Sequence, residues 1–402
     1  MPSQQSAPPA HSSCAAAIAD ANAILLDRAV PTLTPAELQS YCDQGFLVVR
    51  NVLPTSLANV IREHIIHPGF KHRGLDPEDP TTWGKGGLAV EQLNWQEWLT
   101  SLFVSESPYS GQWCRFEAGL EKDHRKDLGA GELKVLHEAW RLANEVVALR
   151  FRAVLDQLVG PGEWDEAPLR DKGVLPKCLH VRYGLPSKDP RRSLASHRWP
   201  RVGWHIDGAW NDHQLGQRRG QEAGRPRRAD HCCVGLILYS EVLPKGGLTG
   251  VVPGSHDYMM RKVLAHTRSG GIPNARVLAG QTLSPGAPLD PAAQMDHPLQ
   301  PGDALLMHPY LVHSSAWNFQ PSLRIATRIS FNYKVPHNAE SLLDMGRRQL
   351  LGAESSGKSK LPPNTELFLR VLEEEPWQMD DWNAAPSPKR VRIGKALGLT
   401  RG

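Results

Sequence analysis

The sequence predicts a mostly β protein, a barrel or sandwich with helices gathered ahead of it, in the α+β class. Three observations point there. From about residue 165 short apolar runs alternate with Gly and Pro turns, as in "CLHVRYGLP", "CCVGLILYSEV", "LTGVVPGSH" and "LRIATRISFNYK". The helical periodicities lie before that point instead of between the strands, which disfavours a doubly wound parallel sheet. The 402 residues are 40% hydrophobic and 22% charged, ordinary for a chain that buries a large core.

In chain order, residues 1–30 are rich in Ala, Ser, Pro and Gln and read as a disordered segment. "TLTPAELQSYCDQGF" then opens a helix: Thr34 is the cap, Pro35 takes the first helical position, and Glu37 reaches back as a capping box. "FLVVR" (46–50) reads as a strand and "PTSLANVIREHI" as a second helix. From Glu132 to Val159, Leu136, Ala139, Trp140, Ala143, Val146, Val147 and Val154 recur at helical steps until Gly160-Pro161-Gly162 stops them. The expected divisions are a helical part over 31–165, a β core over 166–337, and a partly helical extension over 338–402 with a basic tail.

Composition excludes several classes. The net charge of +4 is too small to argue for nucleic acid. A run of about eighteen apolar residues, as a membrane span requires, is missing. The start lacks the basic and apolar regions of a secretory signal. The cysteines (Cys14, Cys42, Cys114, Cys178, Cys232, Cys233) have no framework or CxxC spacing, so reduced thiols in an intracellular, cytoplasmic protein are expected. The adjacent Cys232 and Cys233 should point to opposite sides of a strand. The basic "PKRVR" near the end offers nuclear import as the alternative address.

The chemistry concentrates in "GWHIDGAW" (203–210). On a strand His205 and Asp207 project together while Ile206 points away, so an imidazole and a carboxylate reach one cation. Downstream, "GDALLMHPYLVHSSAWN" offers His308 and His313, and Arg324 follows eleven residues after His313. In the next strand Arg324, Ala326, Arg328, Ser330 and Asn332 share one face, and Ile325, Thr327, Ile329 and Phe331 share the other. The polar face would line an interior. An arginine there needs an anion, which a dicarboxylate supplies through a bidentate fork.

This arrangement, with "GGLTGVVPGSH" after it and "QSYCDQGFLVVRNVL" before it, resembles the phytanoyl-CoA dioxygenase-like family of iron(II)/2-oxoglutarate oxygenases. The resemblance covers roughly residues 175–335 and implies a double-stranded β-helix of the jelly-roll, cupin-like kind, with flanking helices. By position it implies that His205, Asp207 and His313 ligate iron, with His313 preferred to His308. It implies that Arg324 holds the distal carboxylate of 2-oxoglutarate, that Ser315 carries a hydroxyl near that cosubstrate, and that Asn318 sits in a polar turn. Arg328, on the Arg324 face, is a further candidate for the cosubstrate, for the substrate pocket or for pairing with a carboxylate. The implied reaction consumes O2 and 2-oxoglutarate, releases succinate and CO2, and hydroxylates a C–H bond. Asp207 fills the carboxylate position that the related halogenases leave empty for chloride. The rival readings are a catalytically silent metal-binding β-helix acting as sensor or scaffold, and an arginine-loop nucleic-acid binder.

Other residues keep two readings. His180 and Arg182 face the pocket or serve structure, and Trp204 and Trp210 shape the pocket or pack the core. The arginine-rich stretches 187–201 and 217–230 exceed the family's usual short link. They read as a basic lid for an anionic small-molecule substrate such as a CoA thioester, or as solvated loops.

Overall fold

The computed structural model describes residues 10–72, 75–83, 130–170, 179–184, 204–207, 231–268, 298–315, 318–334, 345–346, 348–349 and 361–374. The Thr34 motif behaves as its chemistry dictates. Helix α2 (Pro35–Gln44) follows α1 (Ala10–Asp27), and the Thr34 hydroxyl accepts from the Glu37 amide while Glu37 accepts from the Thr34 amide. Gly45 closes α2 in the left-handed region at φ 80° and feeds strand β1 (Phe46–Val49). Helix α3 (Thr55–Ile61) runs through a π turn (Arg62–Ile66) into α4 (His67–His72), so the second helix extends beyond its expected end. Helix α5 (Ala130–Leu158) is the long apolar-striped one, and a four-residue helix α6 (Ala167–Arg170) precedes strand β2 (Leu179–Arg182).

The remaining elements are β3 (His231–Leu238), β4 (Thr249–Val251), α7 (Ser255–Arg268), β5 (Ala304–Met307), β6 (His313–Ser315), β7 (Arg324–Asn332) and α8 (Pro363–Glu374). The strands form a five-stranded antiparallel sheet, β1-β5-β3-β7-β2, and a two-stranded antiparallel sheet, β4-β6. Among the described residues the ladders do not close into a barrel.

Two apolar layers follow from the pleat of β7. Ile325, Ile329 and Phe331 pack with the helices, where Phe331 meets Phe151 of α5 at 5.3 Å between ring centroids and Trp164 at 6.0 Å. Each fully buried ring of this kind is worth about 1.5–3 kcal/mol. On the other face Val234, Leu236, Leu305 and Met307 of the large sheet meet Val251 of β4, so the sheets pack against each other. The polar positions of β7 open between them.

Two expectations are corrected. Residues 10–27, read from composition as disordered, form α1, which packs on α3 and α5 with Cys14, Ala17 and Ala21 buried. Alanine is the strongest helix former, and a small-residue face lets helices approach closely, so low bulk does not mean no core. Cys232 and Cys233 both join the helix-side cluster, because the β3–β7 register shifts between His231 and Cys233 and breaks the alternation.

Candidate metal centre

The site begins with two backbone hydrogen bonds. The His205 amide donates to the His313 carbonyl and the His313 amide donates to the His205 carbonyl, both at 2.9 Å. This closed antiparallel pair puts residues a hundred positions apart directly opposite, with ring centroids 4.3 Å apart. Trp204 and Ile206, on the other parity of the same segment, are buried in the helix-side core and anchor it. On the far side, β6 pairs with β4, Val251 opposite His313 and Thr249 opposite Ser315. The Ser255 hydroxyl accepts from the Val312 amide at 2.8 Å and fixes the approach to β6.

Asp207 completes the group. One carboxylate oxygen, Oδ1, lies 3.8 Å from His205 Nε2, and the other, Oδ2, lies 3.4 Å from His313 Nε2. One ligand atom from each of His205, Asp207 and His313 fits within 4.8 Å of the others. His313 Nδ1 stands 2.9 Å from the Leu311 carbonyl. A carbonyl only accepts, so Nδ1 donates to it, which leaves Nε2 as the ring atom available to an ion. Burial pushes the Asp207 carboxyl upwards, but His313, Arg328 and His205 outweigh it and hold it well below the usual carboxylate range. The donor set of two imidazoles and one carboxylate suits a divalent transition metal with positions left open.

Arg328 of β7 reaches across from the large sheet, its Nη2 3.1 Å from Asp207 Oδ2. Of the roles open to it in the sequence, its contact here is with a carboxylate of the chain. Arg324, four residues earlier on the same face, is 2% exposed, and its Nη2 donates to the Thr249 hydroxyl of β4 at 3.4 Å. Arg182 of β2 pairs directly opposite Arg324 in register and is 3% exposed. Burial draws Arg324 down to about 10. Burial, and then the charge of Arg324, draw Arg182 well below the usual guanidinium range. Two guanidiniums thus lie side by side between the sheets, a place suited to an anion.

Asn318 holds this end together: its amide donates to the carbonyls of Arg182 at 3.1 Å and Ser322 at 2.6 Å, and its oxygen accepts from the Gln320 amide. His308 stands apart from the group, its ring against those of His256, Tyr310 and Tyr41. The Thr249 contact was missed by sequence reasoning; its only signal was a hydroxyl in the "GGLTGVVPGSH" strand. The side chains of Ser315 and His180, residue Trp210, the stretches 187–201 and 217–230 and the basic tail lie outside the described residues. Among the described residues, no helix is long and apolar enough to cross a membrane.

The class the structure defines is one of antiparallel sheets with flanking helices, carrying a His-Asp-His group that could hold a metal ion. Residues 198–326 match the model of the phytanoyl-CoA dioxygenase (PhyH) family. The family resemblance read from the sequence is therefore borne out over the stretch that carries His205, Asp207, His313 and Arg324. None of the curated proteins compared matches the chain. Among solved structures, AviO1 from Streptomyces viridochromogenes Tue57 is 18% identical over 77% of this chain and 100% of its own, with a TM-score of 0.32. EctD from S. alaskensis, in its apoform, is 16% identical over 75% of this chain and 77% of its own, TM-score 0.33. HygX from Streptomyces hygroscopicus, with nickel and 2-oxoglutarate bound, is 14% identical over 75% of this chain and 88% of its own, TM-score 0.30.

Proposed function

We propose that the protein is an iron(II)- and 2-oxoglutarate-dependent dioxygenase that hydroxylates an unactivated C–H bond of a small-molecule or acyl-type substrate. The observation that carries this reading is the convergence of ligand atoms from His205, Asp207 and His313 within 4.8 Å. When bound, iron with 2-oxoglutarate and O2 supplies oxidative decarboxylation to succinate and CO2 coupled to substrate oxidation.

The chain's own residues do the rest. His205, Asp207 and His313 hold the ion, and the two backbone hydrogen bonds between the histidines fix their separation before it arrives. Arg324 orients the cosubstrate by its distal carboxylate, and the Thr249 hydroxyl fixes the guanidinium. The apolar residues of the facing sheets, Leu236 and Met307 among them, exclude water from the space behind the site. We take residues 166–337 as the catalytic core, completing a double-stranded β-helix, with 31–165 packed on it and 338–402 as an extension. The arginine-rich stretches remain candidates for recruiting an anionic substrate.

The test is Fe(II)-dependent release of succinate from 2-oxoglutarate by the full chain. Release is expected from the wild type and its loss from His205→Ala. Equal release by both would overturn the assignment, and a wild type that binds metal without release would favour a silent sensor or scaffold.

A further inference from the structure

Asp207 is shared. Its Oδ2 faces His313 Nε2 at 3.4 Å and Arg328 Nη2 at 3.1 Å, while Oδ1 has His205 Nε2 at 3.8 Å. Arg328 comes from the opposite sheet, where β7 is held between β3 and β2 with Arg328 paired in register to buried Leu236. Its side chain is 34% exposed, so most of the contact is shielded from solvent. We infer that Arg328 is a positioning residue for the metal-site carboxylate: its guanidinium holds Oδ2, so that Asp207 offers the ion a single oxygen, Oδ1. This rests on the metal reading of the site and adds to it a residue two positions beyond the family-matched segment, which ends at 326.

The geometry separates Arg328 from Arg324. Four residues along a strand are roughly 13 Å, at about 3.3 Å per residue. One inward face therefore sets one guanidinium at the metal-site carboxylate and another at Thr249, where an organic acid would end. A carboxylate free to rotate offers a cation both oxygens. One held by a charge-assisted hydrogen bond offers one and leaves an additional coordination position for cosubstrate and oxygen. The pair also ties the 204–207 segment to the large sheet, and Arg328 balances the Asp207 charge before the ion is bound. With the dication in place the site is net positive and favours a dianionic cosubstrate.

Co(II) is the probe, titrated into the full-length wild type, Arg328→Gln and Arg328→Lys. Affinity and the visible d–d absorption of the bound ion are read, and circular dichroism checks the fold of each apoprotein. Arg328→Gln should weaken binding on the order of 10- to 100-fold, as outer-sphere partners of metal ligands do. Its d–d bands should shift as the carboxylate gains a second bound oxygen. Arg328→Lys, which keeps the charge and loses the fork, should fall between and serves if the glutamine variant fails to fold. Wild-type affinity and spectrum in both variants, or tighter binding, would overturn the role of Arg328. A wild type that binds no Co(II) would overturn the metal reading itself and this role with it.

Discussion

An imidazole offers Nε2 to a metal only when the proton rests on Nδ1, and for His313 the Leu311 carbonyl settles this. Spacing in the sequence shows that His205 and Asp207 share a face; His313 and Arg324 joined them only through the family resemblance. What stands across from a face depends on how two sheets meet, which no local pattern encodes. The Arg324–Thr249 contact crosses between the sheets and the Arg328–Asp207 contact joins the large sheet to the 204–207 segment; the sequence named neither partner. At this scale Arg324→Ala tests the cosubstrate role. A hydrogen bond to a charged group is worth about 1.5–3 kcal/mol, so the 2-oxoglutarate KM should rise on the order of tenfold or more. Steady-state kinetics with 2-oxoglutarate varied would check it, and an unchanged KM would remove Arg324 from that role.

Elements were legible where local chemistry decides them. The Thr34 capping box and the stripe of α5 needed no tertiary information, whereas α1 and the β3 bulge did. The junction of α2 with α7 illustrates how elements couple. His256, at the start of α7, lies fully buried with Nε2 3.0 Å from the Cys42 carbonyl of α2. A side chain at Gly45 would strike its ring, so the left-handed cap must also be bare. Burial lowers His256 to about 4 from 6.5, against the smaller opposing effects of the Cys42 carbonyl and Asp257. His67 of α4 is likewise lowered to about 4, by burial and then by Arg62. The unfolded chain therefore takes up these protons near pH 6.5 and the folded chain only near 4. Stability is complete above pH 6.5 and declines as pH falls towards 4, at up to about 1.4 kcal/mol per pH unit for each histidine. His256→Gln keeps a donor for Cys42 without titrating. Its Tm should fall less steeply than the wild type's between pH 6.5 and 4. Parallel curves would show that His256 does not carry this dependence.

For the whole molecule, the order of helices and strands predicted an α+β class, and two antiparallel sheets with flanking helices are found. Closure into a β-helix is a matter of long-range pairing, and among the described residues the two ladders remain separate. The sheets nevertheless bring a chain segment near residue 205, a strand at 313 and a strand at 328 to one point. Anomalous diffraction from crystals of the full chain grown with Mn(II) tests that convergence directly. The expected result is one ion at roughly 2 Å from His205 Nε2, His313 Nε2 and an Asp207 oxygen, the usual length of such bonds. An ion bound elsewhere, or the two imidazoles turned away from a common centre, would contradict it.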